Sequence, residues 1–453
     1  MKKFLKWTAI VLAVLVVAPL AVVIAINAFD ESLTPQAASY GEPRSPTVPG
    51  DGNGYYALLA LSAPDGADGL AYARAWVDEA RAAAGANRAE KRPAEKRAKR
   101  PPTCDASQAS CLAEIKARPD DVKAQLDAYQ EDLARYESLL GYQRFEEVLD
   151  FPLRVNTGFP PYGPVTGAQR AYVLRAALAA ERGDAEAAIA AIERDIAFQR
   201  VMMTGARTLL GKVVASADYW RDLAFLSDLM QSRTADVRPH LPRIREMLKA
   251  SEFPAAGMTA VVESEFAFRK PLLRNPIAPY QEDGTPPSAV EKVAMRLLYK
   301  SNATLNREVE HLAAVAAAMD LPVNQGSEAL TKILSESGGM TTWEYIDNPV
   351  GNILRRVAAT EDGKEAYGRL RLHDVRAYSR LVALQAEVLA ANIEAERVAA
   401  FVAQSDARFH DPYTGKPMEW DAGTKRLSFQ AQSQTIRLRK LFNTDKGRVF
   451  VQL

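Results

Sequence analysis

The stretch Thr166–Met203, TGAQRAYVLRAALAAERGDAEAAIAAIERDIAFQRVMM, decides the fold class. Val173, Leu174, Ala177 and Leu178 recur at helical spacing in its first half, and Ile189, Ile192, Ile196 and Met203 mark one face of its second. Gly183-Asp184 separates the two. Glycine accepts the left-handed backbone that ends a helix, and an aspartate accepts hydrogen bonds from the free amides that open the next. The spacing predicts a helical hairpin whose first arm runs to Arg182.

Working outward, the same period continues on both sides. Helices are expected at 54–61, at about Gly69–Ala84 with Leu70, Ala73, Trp76, Val77 and Ala80 on one face, and in two pieces from Cys111 to Leu149 divided at Arg118-Pro119-Asp120. Beyond the hairpin, helical patterns cover Leu209–Met230, Leu241–Lys249, 289–319 and 326–336. Asn348–Ile353 reads as a turn into a short helix. The longest helix is expected over Gly363–Gln404, where Leu381, Leu384, Val388, Ala391, Ala395, Val398 and Val402 alternate by three and four, making it the spine of the C-terminal half. The tail changes period: Met418–Trp420, Arg426–Phe429 and Arg448–Val451 read as short strands, the first two joined by Asp421-Ala422-Gly423 as a β-hairpin. The fold class is therefore mainly α, a hairpin or bundle with a small C-terminal β-hairpin.

The N-terminus sets the expected address. No charged side chain occurs from Trp7 to Phe29, and at about 1.5 Å per residue that run is long enough for a hydrocarbon layer of about 30 Å. Lys2, Lys3 and Lys6 precede it and Asp30 and Glu31 follow, so the positive-inside bias leaves the N-terminus in the cytoplasm and the bulk of the chain beyond the membrane. A cleaved secretory leader also begins with lysines, but its apolar stretch is about 7–15 residues and ends in a small-x-small site. Ile24 and Ile26 stand in that window here, which favours an uncleaved single-pass transmembrane anchor in a bacterial inner membrane, with the body in the periplasm.

The expected organisation is an anchor (1–29), a Pro- and Gly-rich tether (30–53), an N-terminal helical domain (54–160), a main helical domain (165–405) and a C-terminal turn with strands (406–453). The formal charge of +1 gives no electrostatic reason to invoke nucleic acid. Cys104 and Cys111 are the only cysteines; in an oxidising compartment they pair, and with no third or fourth donor nearby they do not make a zinc site. The loop 88–102 is strongly basic. Arg88, Lys91, Arg92, Lys96, Arg97, Lys99 and Arg100 stand against Glu90 and Glu95, a local net of +5, which reads either as a solvated loop or as an arm for anionic lipid or another envelope polyanion.

Catalytic patterns are sparse. The four histidines fit no metalloprotease spacing, and no nucleophile elbow, phosphate loop or dinucleotide fingerprint occurs. No cofactor or metal ligand set is expected. His373 lies beside the apolar stripe of the long helix and reads as a hydrogen-bonded, partly buried imidazole, Glu308 and His311 share a helix face, and His410-Asp411 belongs to a turn. Glu263, Glu265 and Glu308 would serve a rival reading, an envelope hydrolase acting on cell-wall or lipid material through a carboxylate-lined cleft.

The hairpin at Gly183-Asp184 resembles a tetratricopeptide-style unit, without a 34-residue period along the chain. The tail Asp411–Pro417, Asp-Pro-Tyr-Thr-Gly-Lys-Pro, resembles a segment of bacterial envelope proteins in which that turn precedes a two-strand hairpin. With the anchor and the Asn53–Leu61 opening, the chain is similar to membrane-anchored helical envelope proteins of Gram-negative bacteria. The proteins it resembles carry no assigned activity; the anchor, the helical packing and the lack of a catalytic motif are what point to a structural or protein-interaction role in the envelope, with an envelope protein or anionic lipid as partner. The resemblance brings no catalytic residue and no substrate.

Overall fold

The computed structural model describes residues 2–86, 99–154, 157–232, 235–249, 258–277, 287–336, 339–432, 444–445 and 447–453; within its helices, the side chains at 2–6, 8–13, 16, 334, 336 and 358–370 lie outside the description. The chain begins with α1 (Lys2–Asn27) and the short α2 (Pro35–Ser39), followed by α3 (Gly54–Ala60), α4 (Gly69–Gly85), α5 (Cys111–Ala117), α6 (Pro119–Ala128) and α7 (Gln130–Leu139). The hairpin is α8 (Tyr162–Glu181) and α9 (Ala185–Gly205), and α10 (Leu209–Gln231), α11 (Leu241–Lys249) and α12 (Met258–Arg274) come next. Then follow α13 (Ala289–Leu298), α14 (Ser301–Asp320), α15 (Val323–Glu336), α16 (Pro349–Ala390) and α17 (Ala395–Ala403). The tail forms an antiparallel sheet of β1 (Glu419–Asp421), β2 (Arg426–Gln430), β3 (Thr444–Asp445) and β4 (Arg448–Gln452), in the order β1-β2-β4-β3.

The hairpin forms as its sequence dictates. Gly183 adopts φ +85°, and the Asp184 carboxylate accepts the Ala187 amide at 2.9 Å. The centre of the fold is the next helix. In α10, 17 of 23 residues are buried, so it has no polar stripe and is packed on all sides, against α9, α8 and α16. Trp220 of α10 stacks on Tyr378 of α16 with ring centroids 4.3 Å apart. Gly205 lets the chain pass close to Phe145, whose backbone carbonyl occupies the space a Cβ would need.

Two hydrophobic cores result. The larger unites α3–α11 with the C-terminal part of α16, α17 and the sheet; the smaller gathers α12, α14 and α15 around Phe266, Leu305 and Leu312, with Ala37 of α2 inserted. Phe145, Val148, Leu149, Phe151 and Leu153 are buried in the same core as both neighbouring helical layers. The prolines of 150–167 thus redirect the chain within one core.

Three expectations are corrected. The segment 30–53 is not a free tether: Asp30 accepts the Asn302 and Ala303 amides at the start of α14, Lys270 donates to the Ala38 and Tyr40 carbonyls, and the Thr47 and Val48 amides meet Glu146. Asp30 thus satisfies amides of the body, and Lys270 and Glu146 of the body satisfy backbone groups of this segment outside its one short helix. The long helix starts at Pro349 rather than near 363 and stops at Ala390, because Asn392 turns left-handed (φ 49°) and the Ile393 amide bonds back to Val388. Leu70, placed on the buried face of α4, is 40% exposed.

Within the expected anchor Trp7–Phe29, the side chains at 8–13 and 16 lie outside the description and the others are described. Among the described residues no helix is long and apolar enough to cross a membrane. The backbone of α1 is nonetheless continuous from Lys2 to Asn27.

A candidate anion-binding cleft

A cleft of about 880 Å³ opens between α11, the α14–α15 junction, α16 and the turn at 407–415. Its floor comes from α16, where Arg376 and Arg380 stand one helical turn apart and face the same way. Burial, and then the neighbouring Arg380, push the Arg376 guanidinium below its ordinary range, while Asp320 on the opposite wall partly offsets them. An arginine stays charged in proteins, so Arg376 carries its charge with reduced hydration and beside a like charge, and a bound anion would offset both.

The Arg380 guanidinium also donates to the His410 carbonyl at 3.4 Å, which ties it to the turn. Other wall charges are committed too. Arg245 pairs with Glu387 at 2.7 Å and Lys249 with Glu246 at 3.2 Å. Asp411 accepts the Tyr413 amide and the Thr414 hydroxyl, and so shapes the turn. His410 sits 3.1 Å from the Gly415 carbonyl through Nδ1 and 3.1 Å from the Ser405 carbonyl through Nε2; the imidazolium serves both, the neutral ring only one. Leu248, Val323, Ala383 and Phe409 supply apolar lining. Behind the floor, the buried Lys212 is pushed down to about 8 by burial, with Glu147 opposing and Arg376 adding to the shift.

A second polar cluster lies sealed in the core. Asp195 accepts from the Tyr136 hydroxyl at 2.8 Å and from Gln199 at 2.9 Å, and Gln169 reaches Asp222 at 3.0 Å. Burial raises Asp195 to about 6 and, with the Asp195 and Asp218 charges, raises Asp222 well above the carboxylate range. Arg221 bonds Asp218, Gln169 and Asp105. Asp195, Asp218 and Asp222 are fully buried, so this network joins α7, α8, α9 and α10 and presents nothing to solvent.

The sequence-predicted sites are scattered. Cys104 and Cys111 are disulfide-bonded and buried. Their loop docks on α10, with Asp105 between Arg170 and Arg221 and the Ser110 hydroxyl donating to Asp228 at 2.7 Å. Of the basic run, Arg88, Lys91, Arg92, Lys96 and Arg97 lie outside the described residues. Lys99 is exposed, whereas Arg100 binds Asp65 at 2.7 Å and Asp132 at 2.8 Å, which makes it a structural cation at the root of the run.

His373 is fully buried, both ring nitrogens lack a hydrogen-bond partner, and burial followed by Arg376 pushes it down to about 4. Glu263 pairs with Arg44, and the buried Glu308 with Arg269. Neither they nor Glu265 lines the cleft, so the carboxylates of the hydrolase reading do not converge there. Among the described residues no cluster of His, Cys, Asp or Glu is arranged to hold a metal ion.

Sequence reasoning missed the arginine pair: Arg376 and Arg380 recur at i and i+4 just after His373, but Arg369 and Arg371 stand close by in the same helix, so the spacing alone did not single the pair out. No family model, no curated protein and no solved structure matches this chain.

Proposed function

We propose that this is an envelope protein anchored in the inner membrane through residues 7–29, with its body in the periplasm, whose cleft receives an acidic segment of a protein partner. Three observations support the reading. The α1 helix exposes Val14, Leu15, Val17, Leu20 and Val22, the composition expected of a lipid-facing rod. The disulfide is of a kind that persists in oxidising compartments. The cleft sets two arginines, one of them largely buried, beside apolar walls, which suits a carboxylate-bearing peptide.

The arginine pair carries the functional conclusion. The test is thermal unfolding of the detergent-solubilised full chain with added polyglutamate or inorganic phosphate. A ligand that binds only the folded chain stabilises it by about 2.7 kcal/mol at a hundredfold excess over Kd. Polyglutamate is expected to raise Tm in proportion to log concentration, and Arg380→Gln to abolish the rise. Stabilisation by phosphate alone would replace the peptide with a phosphorylated ligand, and an unchanged Tm with either would overturn the reading.

A further inference from the structure

Large apolar side chains are exposed very unevenly on this molecule. Outside α1, the described ones fall into two sets. Leu70, Phe159, Leu210 and Leu321 are scattered and only 40–43% exposed. The remainder are 48–84% exposed, and the chain brings them to the end where α1 enters the body.

That entry point is fixed by hydrogen bonds. The Asn27 amide donates to the Ile346 carbonyl at 2.7 Å, and its oxygen accepts the Asn348 amide at 2.7 Å. Trp343 and Tyr345, 58% and 62% exposed, belong to the turn immediately before Ile346. Ile353 and Val357 lie one helical turn apart just after Asn348, at the start of α16. Phe29, 84% exposed, is two residues past Asn27.

Helix α13 completes the surface. It touches both α1 and α16, has no buried residue, and carries Val290, Val293, Ala294 and Leu297 at helical spacing opposite Lys292 and Arg296. Val290 is 78% and Val293 56% exposed. Ala294, Met295, Leu297 and Leu298 are half-buried, so the apolar surface that this capped helix turns away from the protein is that of Val290 and Val293.

We propose that this end of the molecule is a membrane-interface platform: α13 lies in the headgroup region of the bilayer that α1 crosses, with Trp343 and Tyr345 as interfacial anchors. The inference rests on the anchor reading of α1. The run Trp7–Ile26 spans about 30 Å as a helix, which puts Asn27, and everything bonded to it, at the boundary of the hydrocarbon. Tryptophan and tyrosine favour that depth because a ring can sit in apolar surroundings while its polar edge stays wet. Lys292 and Arg296, on the other face of α13, are placed to meet lipid phosphates. The bilayer is favoured over a protein partner because these exposed apolar residues sit on elements that touch α1 or are hydrogen-bonded to its end, beside the exposed apolar surface of α1 itself.

The experiment is site-directed spin labelling of the full chain in phosphatidylcholine vesicles, with oxygen and a nickel chelate as relaxants. The native cysteines are both in the disulfide, so single substitutions label cleanly. Labels at Leu20→Cys, Val290→Cys and Val293→Cys are expected to be several-fold more accessible to oxygen than to nickel, and a label at Glu246→Cys, on the cleft rim, the reverse. Lipid access at Leu20 with nickel access at Val290 and Val293 would overturn the platform and leave the anchor standing. Nickel access at Leu20 would overturn both.

Discussion

His373 shows how one side chain can tax a fold. Its imidazole lies in the core with neither nitrogen bonded, and its affinity for protons falls to about 4 from an ordinary 6.5. Between those values the unfolded chain binds a proton that the native chain refuses, so the histidine's contribution to stability falls as pH is lowered from about 6.5 to 4. Asp195 works in the opposite sense. Raised to about 6, it keeps a proton that the unfolded chain releases near 3.8, and its contribution is lost as pH rises through that window. Replacing His373→Leu is expected to stabilise the fold by about 1–3 kcal/mol at pH 7, since an unsatisfied buried polar group is removed, and by up to about 3 kcal/mol more near pH 4.5. Urea melts of both proteins at the two pH values give the comparison. An equal gain at both would refute the protonation argument. The burial of His373 was legible from its place beside an apolar stripe. Its lack of partners was not, because that depends on α16 packing against elements remote in sequence.

At the scale of elements, the disulfide loop is the clearest case of a short segment holding longer ones. Closing a loop of this size is worth about 2.5 kcal/mol on chain-entropy grounds. Here it also presents Asp105 to Arg170 and Arg221; burial pushes that carboxyl up, but Arg221 and the Ser107 hydroxyl pull it below its usual range. The double substitution Cys104→Ser with Cys111→Ser is expected to cost about 2–4 kcal/mol, and reductant to reproduce the loss in the parent protein but not in the variant. Denaturant midpoints with and without dithiothreitol measure it. Pairing was legible from two lone cysteines; docking on α10 was not, since nothing local to 104–111 names Arg221. The helix ends divide in the same way. Gly183-Asp184 announced its turn, and Asn392 carried the left-handed stop that a continuing three-four pattern concealed: Leu381, Leu384, Val388, Val398 and Val402 are buried, while Ala391 and Ala395, at the break, are exposed. Alanine satisfies either environment, so it kept the stripe alive on paper. Helix α10 was legible as a helix but not as the buried centre of the fold, since Asp218 and Arg221, which pair in the interior, give no local sign of burial.

For the whole molecule, the decisive contact is between the first helix and the longest. Asn27 is buried and bonded on both sides of its amide to residues 346 and 348. Asn27→Ala leaves the buried Asn348 amide without its acceptor, at an expected cost of about 2–3 kcal/mol. Hydrogen exchange should accelerate at 346–352 while α10 stays protected; uniform acceleration would show instead that the junction governs global unfolding. This junction was invisible in the sequence because more than 300 residues separate its two sides.

The same junction has a mechanical consequence. Asn348 opens α16, and Arg376 lies about 42 Å further along that one uninterrupted helix. One helix thus has its near end bonded to the end of α1 and its far end clamped in the main core against α10 and α11, so the cleft and the first helix share a single rod.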